Sequence, residues 1–120
     1  MKEEIDMSGN GRRLLVVDDD QLALKMLSMF LERHNFDVVR ASSGEEALKY
    51  LDKFFYAVVT DMHMHIINGN DVARAAKNIS NDILVVLCFC PKNVEPEYNL
   101  FEHIFKKPIP LRDLVYTLCA

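Results

Sequence analysis

Two strand-like runs in this chain, one continuously apolar and one β-branched, end abruptly on acids, and that pattern restricts the fold more than any other feature. Leu14-Leu15-Val16-Val17 runs into Asp18-Asp19-Asp20, and Val58-Val59-Thr60 runs into Asp61, with loop signals following at Asn68 and Gly69. Runs of this kind read as strands. Being continuously apolar rather than alternating, they suit strands covered on both faces, as in a parallel sheet. In such sheets ligands bind in the crevice at the carboxyl ends of the strands. Asp18 and Asp61 both fall at that edge, and Lys107 ends a further short strand.

The rest of the chain alternates in the same way. Leu22, Ala23, Met26, Leu27, Phe30 and Leu31 recur at helical spacing over Gln21–His34. A second strand spans Phe36–Ala41. Ser43 and Glu46, three apart as in a capping box, open a helix running to about Asp52. The third strand is Phe55–Thr60, and Val72, Ala75, Ala76 and Ile79 mark a third helix. The fourth strand is Ile83–Phe89. Between Pro91 and Leu100, with prolines at 91 and 96, at most a short helix fits. Glu102–Lys106 is the fifth strand, and Leu111, Leu114, Val115 and Leu118 mark a final amphipathic helix. Strands alternating with helices imply right-handed crossovers, hence a five-stranded doubly wound α/β fold with helices on both faces. Residues 1–12 are polar and aperiodic and are expected to be a flexible tail, leaving 13–120 as one domain.

A formal charge of −4 argues against a broad basic nucleic-acid face, so no direct nucleic-acid binding is expected. The three cysteines are odd in number, and Cys88 and Cys90 lie in an apolar run, which points to a reducing cytoplasm. The longest apolar run, Ile83 to Cys90, is too short to span a bilayer, and the first residues lack a signal-peptide core.

Leu-Leu-Val-Val-Asp18-Asp19-Asp20, Ala41-Ser-Ser-Gly44-Glu-Glu46-Ala-Leu, Asp61 with Gly69 eight residues on, and Lys107-Pro108, in this order and spacing, resemble the receiver domain of two-component response regulators over roughly residues 13–119. The resemblance implies a flavodoxin-like sheet of strand order 2-1-3-4-5. It implies that Asp61 accepts a phosphoryl group from a sensor histidine kinase or phosphotransfer protein. It further implies that Mg²⁺ is held by Asp18, Asp19, Asp61 and the backbone carbonyl of His63, oxygen ligands suited to a hard cation. Lys107 would pair with the phosphoryl group as a point charge. Output would pass to a downstream protein or a fused domain. Such a domain is a phosphoacceptor that assists its own phosphoryl transfer and hydrolysis rather than a classical enzyme. With its last helix ending at Ala120, the chain is expected to be a stand-alone regulator or a receiver cut from a longer protein.

Departures from the family pattern bear on switching. His65 stands where a proline is usual, so the loop after Asp61 is expected to be less rigid. Phe89 occupies the position of a Thr or Ser that hydrogen-bonds the phosphoryl group, and phenylalanine has no donor. It is expected either to crowd the pocket or to open outward. Ile104 replaces the aromatic switch residue, and the stretch between Phe89 and Lys107 is short, so the fourth helix is expected to be reduced.

Other readings of the same residues remain at this point. Taken alone, Asp18–Asp20 reads as helix capping, Asp61 as a turn carboxylate and Lys107 as a solvated lysine. His63, His65, Cys88 and Cys90 lie near one edge and are of zinc-ligand type, against the plainer reading of loop histidines and a core thiol. A non-switching receiver-like module that binds partners through a fixed surface is the main functional alternative. A haloacid-dehalogenase-type phosphatase would also open on such an aspartate pair, but Leu22 stands where Thr or Val is expected, and Asp113 alone does not supply the later acidic metal motif.

Overall fold

A computed structural model describes residues 7–91 and 95–120 of the chain. In chain order the elements are β1 (Arg13–Val17), α1 (Gln21–Arg33), β2 (Asp37–Ala41), α2 (Gly44–Tyr50), β3 (Ala57–Asp61), α3 (Gly69–Ile79), β4 (Leu84–Phe89), a 3-10 turn (Tyr98–Leu100), β5 (His103–Lys106) and α4 (Leu111–Cys119). All pairings are parallel, and the strand order is β2-β1-β3-β4-β5. The sheet is therefore the doubly wound one that the alternation of elements predicts.

The apolar strands are uninterrupted because each feeds two cores. Leu14, Val16, Val59, Val86 and Cys88 pack on one side against Leu24, Leu27 and Leu31 of α1 and Leu114, Val115 and Leu118 of α4. Leu15, Val17, Val58, Val85 and Leu87 pack on the other side against Ala47 of α2 and Val72, Ala73 and Ala76 of α3. Successive strand residues point to opposite faces, so a strand covered twice has no polar position to spare.

Caps fix where the helices start. The Asp20 carboxylate accepts from the Leu22 and Ala23 amides at 3.1 and 3.2 Å and caps α1, so this third acid of the run has a local structural role. Ser43 caps α2 by accepting from the Glu46 amide at 3.0 Å, but Glu46 reaches back to the Ser42 amide, one residue beyond the cap. The reciprocal capping box belongs to α3, between Asn68 and Asp71.

The fourth crossover is reduced as expected. Among the described residues it holds only the 3-10 turn, with Pro96 buried ahead of it. Asn70, at the start of α3, fastens this segment: its side-chain oxygen accepts from the Glu97 amide at 2.9 Å, and Arg74 pairs with the Glu97 carboxylate at 2.6 Å.

Of the segment 1–12 expected to be a flexible tail, residues 7–12 lie against the α1–β2 turn; residues 1–6 lie outside the described residues. The Gly9 and Gly11 amides donate to the carbonyls of His34 and Asn35 in the α1–β2 turn, and His34 Nδ1 bonds the Met7 carbonyl. Gly9 is pressed against Phe36 so closely that a Cβ would lie 2.5 Å from ring carbons. Polar composition concealed this, because much of the hold uses backbone amides and carbonyls, which carry no side-chain signature, and the rest, Asn35 Nδ2 on Ser8 Oγ and Arg12 over the Phe36 and Tyr56 rings, comes together only in the fold.

Candidate functional site

The register of the sheet brings the charged residues together. Val17 pairs with Thr60, so the residues immediately after them, Asp18 and Asp61, emerge side by side at the carboxyl edge. Lys107 follows β5, two strands from β3, and its amide donates to the Phe89 carbonyl at 2.9 Å. From there its long side chain reaches back across β4. The Lys107 ammonium stands 3.3 Å from Asp18 Oδ2 and 3.5 Å from Asp61 Oδ2.

Each carboxylate is also held by backbone. Asp18 Oδ1 accepts from the Asp20 amide at 2.9 Å, and Asp61 Oδ1 accepts from the Met62 amide at 2.8 Å. Asp19 is exposed, but its carboxylate lies within 4.8 Å of those of Asp18 and Asp61. Burial pushes the Asp61 carboxyl above the ordinary aspartate value, with Asp18 adding to the rise and Lys107 opposing it. Burial would lower Lys107, but the facing carboxylates of Asp61 and Asp18 outweigh it and hold the amine above its usual value. The site is thus a pair of crowded carboxylates with a third beside them and one firmly protonated cation.

Three oxygen-donor side chains at this spacing fit a hard divalent cation that keeps some of its waters, as Mg²⁺ does. Among the described residues this is the one cluster of metal-ligand type; His63, His65, Cys88 and Cys90 are not gathered into another. Cys88 lies in the core, where burial pushes its thiol up to about 12. Cys90 is exposed. The zinc alternative therefore has no assembled ligand set.

His63 and its neighbours in the β3–α3 loop, together with Asp19, line a cleft of about 430 Å³ beside the acids. Ile66 lies in this loop with φ +68° and is three-quarters exposed. A second, more apolar groove of about 520 Å³ opens from Asp18 and Lys107 along α1, between Met26, Met29 and Phe30 on one wall and Pro108, Ile109 and Leu111 on the other. This groove was not legible in the sequence, because its two walls come from the two ends of the chain.

Phe89 neither projects outward nor stands alone. It is buried in the core on the α2/α3 side, and Ile104, paired in register with Leu87, packs against the same cluster. The two departures from the family pattern thus share one face of the sheet.

The two acids and the lysine thus stand together at the carboxyl edge of a parallel sheet, making this an α/β domain with a compact charged site at that edge. The response regulator receiver domain family matches residues 14–115, and the chain belongs to it. Such domains are signalling modules rather than classical enzymes. Among curated relatives, the transcriptional regulatory protein CpxR homolog of Haemophilus influenzae is 30% identical over 111 residues, 90% of this chain and 49% of that protein. The chain thus spans about half the length of this relative. The solved response regulator receiver protein from Pseudomonas putida has a TM-score of 0.76 at 26% identity, covering 88% of this chain and 93% of that one. The response regulator TrrA from Thermotoga maritima, solved in complex with Mg²⁺-BeF, has a TM-score of 0.75 at 26% identity, covering 89% and 98%. Among the described residues, no helix is long and apolar enough to cross a membrane.

Proposed function

We propose that Asp61 is the phosphoacceptor of this receiver domain and that a sensor histidine kinase or a phosphotransfer protein is its donor. The observation that carries the reading is the placement of the Lys107 ammonium 3.5 Å from Asp61 and 3.3 Å from Asp18. A carboxylate oxygen of Asp61 attacks the phosphorus of a phosphohistidine. The P–N bond breaks, its electron pair returns to the imidazole, and an acyl phosphate remains on Asp61. Water later releases inorganic phosphate and restores the carboxylate.

Asp18, Asp19, Asp61 and the His63 backbone carbonyl are the groups that would hold Mg²⁺. The cation supplies charge neutralisation between the carboxylate and phosphoryl oxygens. Lys107 does the same from the opposite strand, and because the two acids hold it protonated it is ready to do so. Met62 fixes the orientation of the Asp61 carboxylate through its amide.

The burial of Phe89 favours a specific limit on this function. Its ring donates no hydrogen bond to a phosphoryl group, and Ile104 has no ring to turn inward. Two packings exchange population only if the ligand contacts them differently. Phosphorylation therefore marks Asp61 without driving a hydroxyl-and-aromatic relay toward β5 and α4, and partners read the site and its rim directly. With a net charge of −4, the domain passes its output to a downstream protein or fused domain rather than to nucleic acid. Its place is the cytoplasm, where the phosphodonor and free thiols both belong.

Incubation with acetyl phosphate and Mg²⁺, read by intact mass, should show one phosphoryl addition that Asp61→Asn abolishes. Unchanged labelling of that variant would refute the assignment. Amide exchange with and without beryllofluoride should change around Asp61 and stay level at Ile104 and Tyr116. Large changes at those two residues would reveal a relay independent of a hydroxyl.

A further inference from the structure

The β3–β4 ladder ends with Asp61 opposite Cys88. Two residues past that last pair, the side chain of His63 continues the connection, its Nε2 lying 3.1 Å from the Cys90 carbonyl oxygen. That oxygen only accepts, so the ring nitrogen carries the hydrogen. The loop joined in this way contains no proline between Asp61 and Gly69, and one of its residues, Ile66, sits in the left-handed region. The backbone hydrogen bonds of the loop are local: the Ile67 amide donates to the His65 carbonyl, and the Gly69 amide, at the start of α3, donates to the Met62 carbonyl. His63 instead reaches outside it, to the end of β4.

We propose that His63 is a positioning residue for the cation site: its imidazole, bonded to the Cys90 carbonyl, restrains the β3–α3 loop that follows Asp61 and carries the backbone carbonyl of His63. This rests on the reading of Asp18, Asp19, Asp61 and the His63 backbone carbonyl as the cation ligands. A side chain and the carbonyl of the same residue share one Cα, so fixing the ring against β4 restricts the peptide that follows it. Without that restraint the loop spends less time in the binding geometry, and apparent affinity falls by the fraction lost. The bond also links the cation loop to the exit of β4 at the residue next to Phe89, the position at which this chain offers no hydroxyl.

The geometry dictates which replacements should work. In glutamine the amide nitrogen is the same number of bonds from Cβ as Nε2 is in histidine, and it donates. In asparagine the nitrogen falls one bond short, and alanine has none. Calorimetric Mg²⁺ titration of the whole chain should show affinity reduced roughly three- to tenfold in His63→Ala and His63→Asn, the effect of one neutral hydrogen bond, with His63→Gln close to the parent. Thermal midpoints without Mg²⁺ should differ little, since the bond lies at an exposed loop.

Parental affinity in His63→Ala would overturn the proposal while leaving the acidic site intact. Failure of His63→Gln to recover affinity would overturn it as well, because the loss would then belong to the imidazole and not to the bond. No Mg²⁺ binding by the parent would overturn the cation reading itself, and the role of His63 with it.

Discussion

A Cβ built on Gly69 would stand 2.5 Å from the backbone oxygen of Asp61. The first residue of α3 is thus packed directly on the peptide that carries the proposed acceptor, and its amide bonds the next carbonyl, that of Met62, at 2.9 Å. The glycine is required by close approach rather than by its own backbone angles. Gly69→Ala should push α3 and the Asp61 peptide apart, costing about 1–3 kcal/mol as overpacking does. Chemical denaturation reads the stability loss, and acetyl phosphate labelling should slow in parallel. Parental stability would show that the helix start yields without cost.

Asp61 itself should cost the unliganded fold stability at neutral pH. Its carboxyl is raised above 3.8 by burial and by Asp18, against the pull of Lys107, so the folded state binds this proton more readily than the unfolded chain does. The sign follows: without Mg²⁺, this contribution improves as pH falls through the folded value toward 3.8, and it is unfavourable above that window. Asp61→Asn should therefore melt higher than the parent at pH 7 in chelator, with the advantage shrinking toward pH 4. A lower midpoint for the variant at pH 7 would mean that the Lys107 pairing outweighs burial.

Asp19 and Asp20 are adjacent in sequence and should separate cleanly in function. Asp19→Asn removes one proposed hard ligand and should weaken Mg²⁺ tenfold or more, by about 1.4 kcal/mol or above, with little effect on stability. Asp20→Ala removes the α1 cap and should cost about 1 kcal/mol of stability while leaving Mg²⁺ affinity nearly unchanged. Titration and melting of both variants decide the matter; equal losses of affinity would refute the register of the ligands.

Ile66 holds a β-branched side chain at φ +68° while three-quarters exposed, so it has strain without burial to offset it. Asparagine tolerates this region far better. Ile66→Asn should stabilise the protein by about 1 kcal/mol, measured by urea denaturation. A destabilised variant would show that the isoleucine makes contacts that compensate for its backbone.

What was legible in the sequence follows from which interactions leave a residue-type signature. A strand covered on both faces must be apolar throughout, so Leu14–Val17 and Val58–Thr60 announced themselves, and the charges ending them fell at the ligand-binding edge by topology alone. Asp18–Asp20 carried the capping signal together, and the fold assigns it to Asp20. The hold of Asn70 on the reduced crossover and the bond from His63 to Cys90 were hidden, since each uses a backbone carbonyl or amide as partner, and much of the fastening of residues 7–12 was hidden in the same way. The α1–α4 groove was hidden for another reason: Met26 and Ile109 meet only through the fold. Phe89 was recognisable as a departure, but its rotation into the core depended on neighbours that a single position does not reveal.

The acids and the lysine are contributed by β1, β3 and β5, and the Lys107–Asp18 pair joins positions 89 residues apart. No hairpin contains the constellation, so it exists only in molecules in which β1, β3, β4 and β5 have assembled. By linkage, any ligand gathered there draws on the global folding equilibrium and stabilises all five strands at once. With Asp61 as the proposed acceptor, competence to be phosphorylated would double as a certificate that the central strands have assembled. A partly unfolded copy is silent rather than weakly active, and the signal it would have carried is lost as a population of molecules, not as a graded decline in each.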